Sequence, residues 1–342
     1  MQPSVLGITN RLGSWGSGIA PNEKRVILFK LALLHNDDLV RDHPHSDCLA
    51  AVREALGDIE DAGQTGLSVV AEYMKRMWAD GAQYLLHMLS AHGLVPNDVD
   101  ICFVFGIPGV WSESSIVRMK EAIHQSGMLL FKGVPAPMGL TLEPEAAAMA
   151  INPGLIKNGL LKACVLTYVP SPSAERSSSL PGPHHACDFI SYELASLTPF
   201  TVKECVPGEG GLYGDMFMKR ALRSFLKQQV ESTVGTNIAS VDWANCEAAV
   251  EKVWATVCAQ KAEQMCDTSW SPPLEVCRLD GTLLSSVTLY GADIVPVLRS
   301  ITDGILELTH AQVNAVGAKK EGQTPDRIIV VGGFGCNKFL KT

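Results

Sequence analysis

The chain has 342 residues, 46% of them hydrophobic, and a formal net charge of −8. That is apolar content for a large core and length for two lobes rather than one unit, and the acidic balance argues against a nucleic-acid surface, which needs clustered Lys and Arg. Ten cysteines without a CxxC pair argue against a zinc ribbon, and the start, MQPSVLGITNRLGSWGSG, has no signal-peptide core, so a cytoplasmic chain with reduced thiols is expected.

In chain order, residues 23–34 read as a short helix and His43 to Asp47 as a loop. The spacing of Val70, Tyr73, Met77, Leu85 and Leu89 predicts a helix over 66–93, with Gly93 as its cap. Residues 101–105 form a continuous apolar run, expected to be a strand covered on both faces. The longest apolar run, 101–110, is too short to span a bilayer, so no membrane partner is expected. Ser112 starts a second amphipathic helix bearing Val117, Met119 and Ile123 and ending at Gly127. A strand-like approach over 140–142 reaches Glu143-Pro144 and an alanine-rich helix start.

Beyond it, 162–169 is a strand candidate. Residues 170–183 are rich in Pro and Ser, so they predict a loop that cannot bury enough apolar surface to order itself. Residues 189–194 and 201–206 read as paired strands, and 208–214 as a glycine-rich turn entering a helix over 215–228. A helix over 242–265, short strands over 274–279 and 286–289, a long helix over 294–316 and a strand over 328–331 follow. This alternation predicts an α/β protein with helices packed on sheets.

The stretches VVAEYMKRMWADGAQYLL, FVFGIPGVWSESSIVRMKEAIHQSGM, LTLEPEAAAMA, DFISYEL, GEGGLYGDMFMKRAL, ADIVPVLRSITDGILELTHAQV and RIIVVGGFG occur in that order. Together they resemble the divergent heat shock protein 70 relatives of fungi and animals, over most of the chain from about Gly66 onward. The resemblance implies a two-lobed actin-like ATPase fold on ribonuclease-H-like sheets. Residues 1–155 would form the first lobe and 159–342 the second, with a smaller subdomain inserted near 223–286. It also implies a cleft for ATP and magnesium, gripped by hairpins whose glycines let amides approach phosphate and whose aspartates position the hydrated metal.

By the same resemblance Glu143 takes the place of the family residue beside the metal and the attacking water. Gly210, Gly211, Gly332 and Gly333 take the places of glycines lining the nucleoside side. Asp188 takes that of an aspartate flanking the second phosphate hairpin. The first hairpin, an Asp followed by Gly-Thr near the start, has no counterpart, since no Asp occurs before Asp37. The second is replaced by Pro181-Gly182-Pro183-His184-His185-Ala186-Cys187, whose prolines supply no amide. Phe334 and Cys336 stand where the family places a small polar residue and often an adenine-stacking Arg. The chain ends just after this adenosine-like segment, so the family's peptide-binding domain is expected to be absent.

Read without the resemblance, Glu143 is equally a first-turn acid favoured by the helix dipole, and the four glycines are equally tight turns needing positive φ. The expected function is a heat shock protein 70-like, chaperone-related protein with degenerate ATP phosphate sites, acting through protein partners. One alternative is a non-enzymatic scaffold accessory to a specialised pathway. Another is an active ATPase whose phosphate hairpin is replaced by a different exon boundary across 169–187. A third is a zinc hydrolase on His43, His45 and Asp47, whose His-x-His-x-Asp spacing suits zinc; the polar residues 36–42 before it do not suit the buried strand that such motifs follow. His184 and His185 with Asp188 offer similar ligand types. No Gly-x-Ser-x-Gly elbow and no Walker-type loop occurs.

Overall fold

A computed structural model describes residues 6–8, 12–15, 19, 24–26, 29–35, 46–157, 165–170, 187–197, 199–266, 273–331 and 337–341. The protein is mixed α/β with small sheets. Among the described residues no helix is long and apolar enough to cross a membrane.

At the start, β1 (Leu6–Ile8), β2 (Leu12–Trp15) and β3 (Lys24–Val26) form an antiparallel sheet in the order β2-β1-β3. The helix expected over 23–34 is therefore replaced by β3 and a 3-10 turn, Phe29–Leu33. The reason lies in where its side chains go. Phe29 and Leu33 enter one apolar cluster, while Leu31 and Leu34 enter another. A segment that serves two cores has no single helical stripe.

Helix α1 (Ser46–Asp61) includes Asp47, so the loop expected over His43 to Asp47 ends sooner; His43 and His45 lie outside the described residues. The period was present in the sequence, in buried Val52, Ala55 and Ile59. Helix α2 (Gly66–Ala91) starts at a capping box in which Thr65 and Ser68 each accept the other's backbone amide. Gly93 ends it with φ +69°, and the Leu94 amide returns to the Leu89 carbonyl at 2.9 Å. Val70 and Leu89 face inward as expected, but Met77 is exposed. Trp78 takes the inward position instead, edge-on to Phe103 at 4.7 Å and to Phe131 at 5.6 Å.

Strand β4 (Phe103–Ile107) pairs in parallel with β7 (Met138–Leu142), from Phe103 opposite Met138 to Ile107 opposite Leu142. Val104 is 65% exposed. The expectation of a strand covered on both faces is thus corrected: five residues paired to one described neighbour make a ribbon with an open face. Between the two strands lie α3 (Glu113–Ser126) and the small hairpin of β5 (Leu130–Phe131) and β6 (Val134–Pro135). Ser112 caps α3 by accepting from the Ser115 amide, and Gly127 ends it at φ +69°. Met119 and Ile123 are buried, whereas Val117 points out. Helix α4 (Glu143–Lys157) follows β7 directly.

The larger sheet has the order β10-β9-β8-β13. Strands β8 (Val165–Pro170), β9 (Cys187–Leu197) and β10 (Phe200–Gly211) run antiparallel, and β13 (Arg327–Val331) lies parallel to β8. Residues 171–186 and Gly332 and Gly333 lie outside the described residues. Strand β10 continues through Gly211, with Gly210 opposite Asp188 and Gly211 opposite Cys187. The turn expected over 208–214 shrinks to 212–214, because the glycines there pair with β9 rather than leave the sheet.

Helices α5 (Asp215–Val234), α6 (Trp243–Ala259) and α7 (Ala262–Cys266) come next. The single helix expected over 242–265 breaks at Gln260, whose backbone is extended. Strands β11 (Leu274–Cys277) and β12 (Leu283–Val287) pair as an antiparallel ribbon, and α8 (Gly291–Lys319) leads to β13. The buried apolar residues form two main clusters, one from α2, α3 and the end of β4, the other from α5, α6, the ribbon and the start of α8. Leu31, Leu34, Val52 and Ala55 from the first part of the chain join the second cluster, and Trp111 packs against both.

Candidate functional site

The two clusters meet at Trp111, and three of the expected site residues, Glu143, Asp188 and Gly210, gather along the end of β4 and the loop after it, from Gly106 to Trp111. Glu143 leaves the end of β7 beside the end of β4. A methyl group on Gly106 would stand 3.2 Å from Glu143 Cγ. Glu143 also opens α4, where its charge meets the helix dipole. Its carboxylate Oε1 accepts a hydrogen bond from Lys30 Nζ at 2.6 Å, and the same ammonium lies 5.6 Å from the centre of the Trp111 ring.

Asp188 reaches the loop from the other side. It is 3% exposed, and its Oδ2 accepts from the Gly109 amide at 3.0 Å. Gly210, paired opposite it, holds the loop close: an added Cβ would lie 2.8 Å from Val110 Cγ2 and 3.4 Å from Asp188 Oδ1. At Gly109 an added Cβ would lie 2.2 Å from Ile190 Cδ1 and 3.2 Å from Pro144 Cγ. The loop is thus wedged between Glu143-Pro144 and the pair of strands carrying Asp188 and Gly210.

Gly211 does not join this group. A Cβ there would meet the Tyr213 ring at 2.3 Å, and one on Gly304 of α8 would meet it at 2.2 Å. The two glycines leave a slot for an aromatic ring. Neither Gly210 nor Gly211 is among the residues of positive φ, which corrects the tight-turn reading at both. Both are strand glycines that admit a neighbour.

Lys30, Gly109 and Trp111 were missed by the sequence reading. Lys30 carried a signal, a lone cation inside the apolar run Phe29 to Leu34. Gly109 and Trp111 carried none beyond their place at a strand end.

A second polar cluster lies at α5 and α6. Lys219, nearly buried, donates to Glu251 Oε2 at 2.6 Å. Asn337, just past the glycines at 332–333, donates to Cys258 Sγ at 3.7 Å. Burial pushes the Asp215 carboxyl up to about 6, against the Met216 amide and the Lys219 charge, which hold it down. Burial raises the Cys187 thiol too, helped by Asp188 and Asp215.

These residues do not fit a hydrated magnesium ion. Glu143 is bound by an ammonium group, Asp188 is sunk beneath the loop on a backbone amide, and among the described residues no three of His, Cys, Asp and Glu form a metal-sized group. The cation at this loop, Lys30, is held by Glu143. Compared with models of protein families and with curated proteins, the chain matches none.

Proposed function

We propose that the chain is a heat shock protein 70-like, chaperone-related protein on a two-lobed actin-like fold. In this reading it holds ATP weakly, hydrolyses it little or not at all, and acts through protein partners in the cytoplasm. The observation that carries the proposal is the approach of two carboxylates to the stretch from Gly106 to Gly109, Glu143 of α4 beside Gly106 and Asp188 of β9 on the Gly109 amide. Two further features support it. The meander β8–β9–β10 with β13 parallel to β8 is the kind of sheet a ribonuclease-H-like lobe is built on. The two apolar clusters that meet at Trp111 suit two lobes with a cleft between them.

The weak catalysis follows from the site's charges. Phosphoryl transfer depends on donors and cations stabilising charge on the transferred group, and losing one donor typically costs about a hundredfold or more. Here Glu143 is committed to Lys30, and the segment that would supply a second hairpin is rich in proline. The proposed site keeps one cation for phosphate and loses its base.

The test is binding of a fluorescent ATP analogue together with phosphate release from magnesium-ATP, for the natural chain and for Glu143→Ala. Weak binding with release at background in both proteins is expected. Robust turnover abolished by Glu143→Ala would establish the active ATPase instead. Absence of any nucleotide binding would leave the non-enzymatic scaffold, a reading favoured by the burial of Asp188.

A further inference from the structure

The β11–β12 ribbon ends in a turn that is firmly held and apolar at once. The Arg278 amide donates to the Thr282 carbonyl at 2.8 Å, and the Gly281 amide to the Arg278 carbonyl at 2.9 Å. Gly281 takes φ +82°, and Asp280 Oδ1 accepts from both the amide and the hydroxyl of Thr282, at 2.9 and 2.6 Å. The Leu279 amide is tied to the Ser240 carbonyl at 3.1 Å. Yet Leu279 is 75% exposed and Leu283, across the turn, 62%. The turn holds two leucines in water, already in the ordered state that a flexible segment would lose entropy to reach on binding.

In the first part of the chain a cavity of about 170 Å³ lies between the 3-10 turn Pro96–Asp98, the lead into β4 and the β5–β6 hairpin. Val99, Ile101, Phe131, Val134 and Ala136 line it. Phe131 is buried and packs edge-on to Trp78, which fixes that wall. An apolar cavity of about 150 Å³ holds one benzene molecule, so this one takes a single branched aliphatic side chain. Among the described lining residues the one charged group is Asp100, and Lys132 stands at the hairpin turn between Phe131 and Val134.

We propose that the ribbon tip of one copy of the chain docks on a second copy, with Leu279 in this cavity. The charges beside the two surfaces are complementary. Arg278 and Asp280 flank the leucine, and Asp100 and Lys132 stand at the cavity, so each cation has a carboxylate to meet. Tip and cavity are different surfaces of the same chain, so the contact is head-to-tail and every assembly keeps one unused tip and one unused cavity unless it closes into a ring. A contact of this size lies at the weak end of specific interfaces. Association should therefore rise with concentration and fall with salt.

The experiment follows sedimentation of the full chain over a range of concentration, at low and high salt. The natural chain should form dimers and longer species as concentration rises, and fewer of them at high salt. Leu279→Asp should weaken association about tenfold or more. So should two separate changes at the cavity: Val134→Trp, which fills it, and Asp100→Lys, which leaves its apolar lining intact and serves if the first variant does not fold. Leu279→Asp keeps a native cavity and either cavity variant keeps a native tip. An equimolar mixture should therefore regain association, but only as one-to-one dimers that grow no further. A natural chain that stays monomeric throughout, association that survives Leu279→Asp, or a mixture with Asp100→Lys no better associated than its parts would overturn the assignment.

Discussion

The backbone amide of Gly109 donates to the carboxylate of Asp188 at 3.0 Å, joining the end of the first parallel ribbon to the second sheet. The bond is charge-assisted, and the carboxylate is almost wholly removed from water. Asp188→Ala would leave that amide without its acceptor, at a cost of about 2–3 kcal/mol. Asp188→Asn, which keeps an acceptor oxygen, should lose less than half of that. Urea unfolding of the two variants checks the order; equal losses would show that the carboxylate's charge, and not the bond to Gly109, is what counts.

The Lys30–Glu143 pair is half-exposed, with side chains 32% and 40% accessible. Pairs of this kind contribute about 0–1 kcal/mol, so Glu143→Gln should unfold within about 1 kcal/mol of the natural chain. On the proposed nucleotide-binding reading, its effect on ATP should be larger. With the carboxylate neutralised, Lys30 no longer has to leave an ion pair to meet a phosphate, and the ATP analogue should bind several-fold more tightly. Titration at low and high salt measures both the gain and its electrostatic origin.

Asp215 makes stability depend on pH in an unusual direction. Its folded-state pKa is about 6, above the ordinary 3.8, chiefly because of burial. The folded protein therefore takes up the proton first as pH falls. The stabilisation is complete below the unfolded value and is lost as pH rises through about 6. A difference of about two pH units is worth roughly 3 kcal/mol. Asp215→Asn should retain that stability at neutral pH and flatten this part of the profile between about pH 4 and pH 7.5, as read by urea midpoints.

Two glycines should respond oppositely to alanine. A Cβ on Gly66 would sit 2.4 Å from Ala32 Cβ and 2.5 Å from the Ala32 carbonyl oxygen. Backbone cannot step aside as a side-chain tip can, so Gly66→Ala should cost about 1–3 kcal/mol. Gly57, inside α1, has nothing within 4 Å of its added Cβ. Gly57→Ala should stabilise by about 0.5–1 kcal/mol through helix propensity. Thermal unfolding of the pair, measured side by side, separates crowding from propensity.

The helices that could be read from sequence are those with one apolar stripe and recognisable ends, as α2 has between Thr65 and Gly93 and α3 between Ser112 and Gly127. Residues 29–34 resisted because they divide their side chains between two cores, and α1 because polar Asn36 to Asp42 masked its beginning. Glu143 and Asp188 stood out as local patterns. Their partners did not: Lys30 is 113 residues from Glu143, and Gly109 is 79 from Asp188. Relationships of that length are made by strand pairing and packing, which leave no mark on local spacing.

The ring of Tyr213 fills the slot between Gly211 and Gly304, with no room for a methyl group on either side. It acts as a key between the last residue of β10 and the middle of α8. Neither element can slide along the other unless the ring is first withdrawn. Since Gly210 bears on Val110, the stretch from Gly106 to Trp111 is joined to α8 by an unbroken line of close packing, through one peptide unit and one ring.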